Sequence, residues 1–290
     1  MTAISQSYLD AQDLGAHLPP LLIEAQELAA ALITGQHGRR RTGQGDEFWQ
    51  FRPFANGVDR VADIDWRRSA KSDQLFVRQN EWKTPQNLCL WVDPSASLQN
   101  GSPVTKSQRA VTLGLALALL AMEAGEHVAE LGTGLAPAMG QAHVLRLHHA
   151  LSSVAQAEYL PTQKVKFARR SKSVIFSDFL GDLTPVHSLL EHATHAQSRG
   201  ILVQVLTADE LDFNFQGASI FTSALGQINY RTHQAKGLRD AYHARLKSRQ
   251  REIEALAKAA GWQVILHRLD DPAIEVLLKL FALLTHRERG

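Results

Sequence analysis

Two clusters of oxygen-bearing side chains in this 290-residue sequence could hold a hard metal ion. Asp93, Ser95 and Ser97 follow one another at two-residue steps directly after an apolar run, and Asp178 follows a second apolar run. Carboxylate and hydroxyl oxygens are the ligands that Mg²⁺ and Mn²⁺ prefer in proteins. A turn that caps a helix uses the same residue types for backbone reasons alone. Spacing by itself leaves the cation site and the structural turn equally open.

Each cluster follows a segment with the character of a buried parallel strand. Residues 88–92 are continuously apolar, and residues 172–176 contain a shorter apolar run, which is typical of strands covered on both faces. Because the carboxyl ends of parallel strands meet at one edge of a sheet, we expect Asp93 and Asp178 to face the same crevice.

Strands alternate with helices along most of the chain, which predicts a doubly wound, mostly parallel α/β sheet with Rossmann-type layers. Residues 1–86 are predicted to form an extension, made of an N-terminal helix ending near Gly35 and loops with short β segments, on a main domain at 87–290. The predicted helices of the main domain span 105–124, 141–157, 185–197, 237–260 and 272–284, the further strands span 127–131, 201–206 and 263–267, and a hairpin falls within 209–230.

The overall charge excludes the simplest nucleic-acid-binding classes. Lys and Arg total 31 against 29 Asp and Glu, a formal net charge of +2, so no global field favours nucleic acid or an anionic membrane. The run Arg39–Arg41 could contact RNA phosphates or acidic lipid. The near-neutral charge favours a solvated loop instead, and we expect no nucleic-acid partner.

The composition also favours a cytoplasmic protein without a membrane span. The single cysteine, Cys89, lies inside an apolar strand, where it packs as a small hydrophobe rather than forming an internal disulfide. The N-terminus lacks the basic start and apolar core of a signal peptide. The longest apolar segment, 111–122, is shorter than the roughly 20 residues that span a bilayer, so we interpret it as a buried helix.

Common catalytic motifs are absent from the sequence. It contains neither a G-x-x-x-x-G-K-[ST] loop nor a G-x-S-x-G nucleophile elbow. The enzymatic alternative is a metal-dependent hydrolase or phosphotransferase with Asp93 as nucleophile. The sequence around Asp93 lacks the second acid of an Asp-x-Asp phosphatase signature, which favours binding over catalysis.

A block rich in Arg, Gly, Asp and aromatic residues resembles a bacterial family, the domain of unknown function 58. The matching residues are Gly43-x-Gly45-Asp46-Glu47-Phe48, then Arg52-Pro53-Phe54-x-x-Gly57-x-Asp59-Arg60-x-x-Asp63-Ile64-Asp65-Trp66-Arg67-x-Ser69-Ala70, Asp93-x-Ser95-x-Ser97 and Ser177-Asp178-Phe179-Leu180.

The resemblance implies a von Willebrand factor A-like fold with a metal-ion-dependent adhesion site. Asp93, Ser95 and Ser97 would then be ligands of Mg²⁺ or Mn²⁺, and Asp178 would act through water. The threonine of such a site is expected before the helix at 141, where Thr133 is nearest. The resemblance further implies a MoxR-type AAA+ ATPase, or a client that it remodels, as partner. We therefore expect a non-enzymatic interaction module that captures a partner carboxylate on its bound cation.

Overall fold

The chain groups into two compact units, residues 1–35 with 86–290 and residues 36–85. Residues 20–35 belong to the unit that contains the large sheet, while the predicted division at residue 86 stays a prediction. The Arg39–Arg41 run and the motif residues at 43–47 and 55–63 lie outside the described residues. The computed structural model describes residues 20–36, 48–54, 64–71, 74–80, 87–155, 157–159, 165–226 and 229–285.

The smaller unit contains short β segments, as the sequence predicts. Two strands pair antiparallel, with a register irregularity near their first residue pair. Asp65 caps a single helical turn by accepting a 3.0 Å hydrogen bond from the Arg68 backbone N–H, and the Ser69 hydroxyl accepts one of 2.9 Å from the Phe76 backbone N–H. The first elements of the chain are α1 (Pro20–Gln36), β1 (Phe48–Pro53), α2 (Trp66–Ser69) and β2 (Phe76–Asn80).

The larger unit is built on alternating strands and helices. Short 3₁₀ segments at Ala96–Gln99 and Ala235–Leu238 complete the connections. In chain order its elements are β3 (Asn87–Val92), α3 (Lys106–Glu123), β4 (His127–Glu130), α4 (Gln141–Leu151), β5 (Lys172–Ser177), α5 (Thr184–His195), β6 (Arg199–Leu206), α6 (Ala208–Asp212), β7 (Ser219–Thr222), β8 (Asn229–Thr232), α7 (Arg239–Ala259), β9 (Gln263–Arg268) and α8 (Ala273–Thr285).

Five strands form a parallel sheet in the order β4-β3-β5-β6-β9. The predicted α/β class is therefore confirmed. Counted along the sheet strands alone, this is the 2-1-3-4-5 order of doubly wound folds, in which the strand order reverses between the first and third strands. Here the reversal lies between β3 and β5. Ligands of such folds bind in the crevice at that point, outside the carboxyl ends of the strands.

Helices cover both faces of this sheet. On one face, residues of α1, α3, α4 and α8 share a core cluster with Leu88, Leu90 and Val92, which are alternate residues of β3. On the other face, residues of α5 and α7 share a second cluster with Cys89 and Trp91. Because successive side chains of a strand point to opposite faces, a strand between two helical layers is apolar throughout. Cys89 is 1% exposed and free, as its apolar surroundings predict.

Helix α3 lies in the core, and its first residue is fixed by a capping box. The Thr105 side chain accepts from the Gln108 backbone N–H at 3.1 Å, and the Gln108 side chain accepts from the Thr105 backbone N–H at 2.9 Å. Such reciprocal bonds satisfy two free donors at a helix start. The apolar segment 111–122 is part of this buried helix. In the described part of the chain, no helix has the length and apolarity needed to span a membrane.

Helix α4 ends six residues before its predicted end at 157. After Leu151 the backbone turns away and pairs with the loop that follows β3, where the Ala155 N–H donates to the Pro94 carbonyl at 2.8 Å. These tertiary hydrogen bonds replace the intrahelical ones that would extend α4. The predicted hairpin is confirmed as β7 and β8, with Phe221 opposite Tyr230.

Candidate functional site

The predicted ligand residues lie at the carboxyl ends of β3 and β5, which are adjacent strands. Asp93 directly follows β3 and Asp178 directly follows β5. Asp93 and Ser95 are 0% exposed, Asp178 is 1% exposed and Ser97 is 4% exposed. The structure thus places all four side chains at one buried corner of the sheet, which we call the strand-end corner.

Both carboxylate oxygens of Asp93 accept hydrogen bonds from nearby groups. Oδ1 accepts from the Ser95 backbone N–H at 2.9 Å, and Oδ2 accepts from the Ser177 hydroxyl at 2.6 Å. Burial raises the pKa of Asp93 to about 6, against the lowering effect of these hydrogen bonds, and the nearby Asp178 charge raises it further. The bond to Ser95 is that of the structural turn, which was one of the two sequence interpretations.

Ser95 and Ser97 point their hydroxyls toward each other. Their Oγ atoms are 3.1 Å apart and buried. The 3₁₀ segment that starts at Ala96 holds this geometry, since the Leu98 N–H donates to the Ser95 carbonyl at 3.2 Å. One of the two hydroxyls therefore donates to the other inside the loop.

A lysine that the sequence analysis did not single out supplies the positive charge of the strand-end corner. Lys106, the first residue of α3, is 0% exposed. Its Nζ donates to Asp178 Oδ2 at 2.9 Å and to Glu210 Oε1 at 2.7 Å. Burial alone would lower the pKa of Lys106, but the two carboxylates raise it above its ordinary value. The ammonium is therefore charged at neutral pH.

Both acids that contact Lys106 are also held by backbone groups. Asp178 Oδ1 accepts from the Leu180 N–H at 3.2 Å. Glu210 Oε2 accepts from the Thr207 N–H at 2.8 Å, while the Thr207 hydroxyl accepts from the Glu210 N–H at 3.2 Å. This second capping box fixes Glu210 on α6. Lys106, Asp178 and Glu210 thus join α3, the end of β5 and α6, and we call them the ion triad.

Ala155 and residues 157–159 cover the loop after β3. The Ala96 N–H donates to the Ala157 carbonyl at 2.8 Å, and the Ser97 N–H donates to the Glu158 carbonyl at 3.1 Å. Tyr159 lies against the backbone of Gly181, where an added Cβ would come within 2.4 Å of the tyrosine Cβ. The serines of the strand-end corner are therefore shielded from solvent by the chain itself.

Thr133, the nearest threonine to the expected ligand position, is engaged elsewhere. Its hydroxyl donates to Glu130 Oε2 at 2.5 Å, and its backbone N–H donates to the same oxygen at 2.6 Å. Glu130 is 2% exposed at the end of β4. The Thr133 side chain thus caps the β4 turn.

A groove of about 590 Å³ opens beside Glu210, at the same edge of the sheet. One wall is an aromatic cluster in which Phe213 stacks on Tyr242 and on Phe221, with ring centroids 4.6 Å and 5.5 Å apart. Phe215 meets Phe221 edge to face at 5.1 Å. The acidic residues that line the groove are Asp209, Glu210 and Asp270.

Sequence comparison identifies the family. The family described as "Protein of unknown function DUF58" matches residues 50–252, which is more than half of the chain. The chain belongs to the DUF58 family. No curated protein matches the chain.

Solved structures with similar chains include three bacterial proteins. An aerotolerance-related membrane protein from Bacteroides fragilis is 12% identical, with a TM-score of 0.40, and the match covers 68% of this chain and 97% of that one. The conserved hypothetical protein BatB from Bacteroides thetaiotaomicron is 10% identical, with a TM-score of 0.38, covering 68% and 98%. An uncharacterized membrane spanning protein from Vibrio fischeri is 12% identical, with a TM-score of 0.20 and coverage of 68% and 98%.

The strand-end corner of this DUF58 chain does not fit an open, adhesion-type metal site. Such a site needs a coordination position that a partner can reach. Here the ammonium of Lys106 lies against Asp178, and the backbone of Ala157 and Glu158 covers the loop. Among the described residues, no group of three or more His, Cys, Asp or Glu side chains is placed to bind a metal. The Mg²⁺ or Mn²⁺ assignment of Asp93, Ser95, Ser97 and Asp178 stays a prediction.

Proposed function

We propose that this DUF58 chain is a non-enzymatic protein-interaction module, and that its partner docks in the groove beside hairpin β7–β8. The observation that carries the proposal is the position of the groove. It opens at the carboxyl edge of the sheet and combines an aromatic wall with acidic residues. Doubly wound folds bind their ligands at this edge.

The chemistry of the groove favours a basic segment that also carries apolar side chains. Aromatic faces attract Arg and Lys side chains, and carboxylates pair with the same cations. The hairpin adds exposed apolar surface on the side of Phe221, since Tyr230, which lies opposite Phe221, is 53% exposed. Direct docking of this kind does not use a bound metal ion. It therefore differs from the mode expected from the sequence, in which a bound cation captures a partner carboxylate.

The partner that we propose is a MoxR-type AAA+ ATPase, the class implied by the family resemblance. It would present the basic segment to the groove, and the two proteins would meet in the cytoplasm. Asp209 is exposed at the start of α6 and lines the groove, so its charge is available to such a segment. Complementary charges of this type set the specificity and rate of association.

No observation favours the alternative of a hydrolase or phosphotransferase that uses Asp93. A nucleophile must reach its substrate, whereas Asp93 is 0% exposed. Its two carboxylate oxygens accept hydrogen bonds from Ser95 and Ser177. The arrangement supports a structural role for Asp93.

Reversing the charge at Asp209 is expected to weaken partner binding about tenfold, or about 1.4 kcal/mol, because Asp209→Lys places like charges together. Binding to the purified MoxR-type ATPase of the same organism is measured by calorimetry. The matched control is Glu254→Lys, an exposed acid on α7 about 18 Å along the helix axis from Tyr242, which should leave affinity unchanged.

Two outcomes of this experiment would contradict the proposed docking. One is the absence of binding between the wild-type chain and the ATPase. The other is an equal loss of affinity in Asp209→Lys and Glu254→Lys, which would place the contact outside the groove. Affinity that is the same in Mg²⁺ and in chelator would support direct rather than metal-mediated docking.

A further inference from the structure

We infer that the ammonium of Lys106 takes the place of a divalent cation, so that the strand-end corner is complete without metal. The inference does not depend on the groove or on its partner. Lys106 Nζ lies within 2.9 Å of Asp178 Oδ2, the carboxylate that the sequence assigned to a metal. A positive charge is therefore already present at one of the predicted ligands.

The burial of Lys106 is the first argument that its ammonium takes the place of a divalent cation. A lysine is almost never fully buried unless its charge is paired, and Lys106 is 0% exposed with carboxylates at 2.9 Å and 2.7 Å. The pairing with Asp178 and Glu210 compensates the ammonium from two sides. Its position is set by the capping box of α3, since Lys106 is the first helical residue.

The charge balance of the strand-end corner is the second argument. A divalent ion bound to Asp178 would lie close to the ammonium, and like charges at such short range repel strongly in a buried environment. Asp93 has its own internal donors in Ser95 and Ser177. With Lys106 in place, the charge of Asp178 is already balanced, and a metal ion bound to Asp178 would have to displace the ammonium.

The covering segment is the third argument. The backbone of Ala157 and Glu158 accepts hydrogen bonds from Ala96 and Ser97, and these contacts close the loop that an adhesion-type site leaves open. The strand-end corner then serves to hold β3, β5, α3 and α6 together rather than to present an ion. An internal ammonium is suited to this purpose because it is covalently attached and cannot dissociate.

Thermal unfolding of the full chain in Mg²⁺ and in EDTA tests the inference. The Tm of the wild-type chain should be the same in both. Lys106→Ala removes the ammonium and opens space for an ion, so its Tm should fall in EDTA and recover by roughly 3 °C or more at Mg²⁺ concentrations well above Kd. If this variant is unfolded in EDTA, Mg²⁺ should restore its circular dichroism spectrum.

The matched control is Glu210→Gln, which weakens the ion triad but keeps the ammonium. Its Tm should fall and should not respond to Mg²⁺. A wild-type Tm that rises with Mg²⁺ would overturn the inference, because the native corner would then bind metal. A Lys106→Ala variant that Mg²⁺ leaves unchanged would also overturn it, because the ammonium would not be replacing a cation.

Discussion

Replacing Lys106 with methionine is expected to lower the free energy of unfolding by about 3–5 kcal/mol, because removing one partner of a buried ion pair leaves the other charge uncompensated. Methionine keeps most of the side-chain volume, so the loss reports the charge rather than a cavity. The groups left uncompensated are Asp178, which is 1% exposed, and Glu210, whose side chain is 19% exposed. Urea unfolding at pH 7.5 measures the change.

Two further variants test whether the loss of stability in Lys106→Met comes from the ion triad. Lys258→Met changes an exposed lysine on α7 and should alter stability by no more than about 0.5 kcal/mol. Lys106→Met combined with Asp178→Asn should recover part of the loss, since replacing both partners removes the buried charge. A loss below about 1 kcal/mol in Lys106→Met alone would mean that the ion triad contributes little.

Acidification is expected to stabilise the wild-type chain relative to Asp93→Asn by about 2 kcal/mol between pH 7 and pH 4. Burial raises the pKa of Asp93 to about 6 from an ordinary value of 3.8. The folded chain therefore binds a proton at a pH where the unfolded chain does not. The stabilising effect is absent above pH 6 and appears as the pH falls toward 4. Chemical denaturation across this range measures the difference.

His267 provides a control in which acidification should change the stability in the opposite direction. Burial lowers the pKa of this 2% exposed residue to about 4, with Arg109 and Lys279 lowering it and Asp271 opposing them. The unfolded chain then takes up the proton first, so wild type should lose stability relative to His267→Gln as the pH falls from 6.5 to 4. Equal pH profiles for wild type and Asp93→Asn would show that Asp93 is not buried as described.

The sheet could be predicted because strands that are buried on both faces have continuously apolar sequences. The continuous apolar run at Leu88–Val92 predicts a strand between two layers, and the acids at 93 and 178 predict which strand ends meet. The end of α4 could not be predicted, because Ala155 and Ala157 suit a helix locally. Their backbone groups bond instead to the loop after β3, which only the folded chain brings near.

The ion triad could not be predicted for a related reason. A lysine at the start of a helix usually lies in solvent, and the partners of Lys106 are 72 and 104 residues further along the chain. Glu210 appears in the sequence as part of an ordinary capping box. The available signal was a lysine at the start of a helix whose later turns are mostly apolar, with no acid three or four residues away and with acids at the nearby strand ends. That pattern indicates a buried ion pair when the helix lies in the hydrophobic core.

Anomalous difference density from crystals of the wild-type chain grown with Mn²⁺ would locate the cation of the strand-end corner directly. We expect no Mn²⁺ peak among Asp93, Ser95, Ser97 and Asp178, and density for the Lys106 ammonium between Asp178 and Glu210. The same experiment on Lys106→Ala should show a peak beside Asp178. A Mn²⁺ peak at this corner of the wild-type chain, with Lys106 displaced, would contradict the inference that the Lys106 ammonium takes the place of a divalent cation.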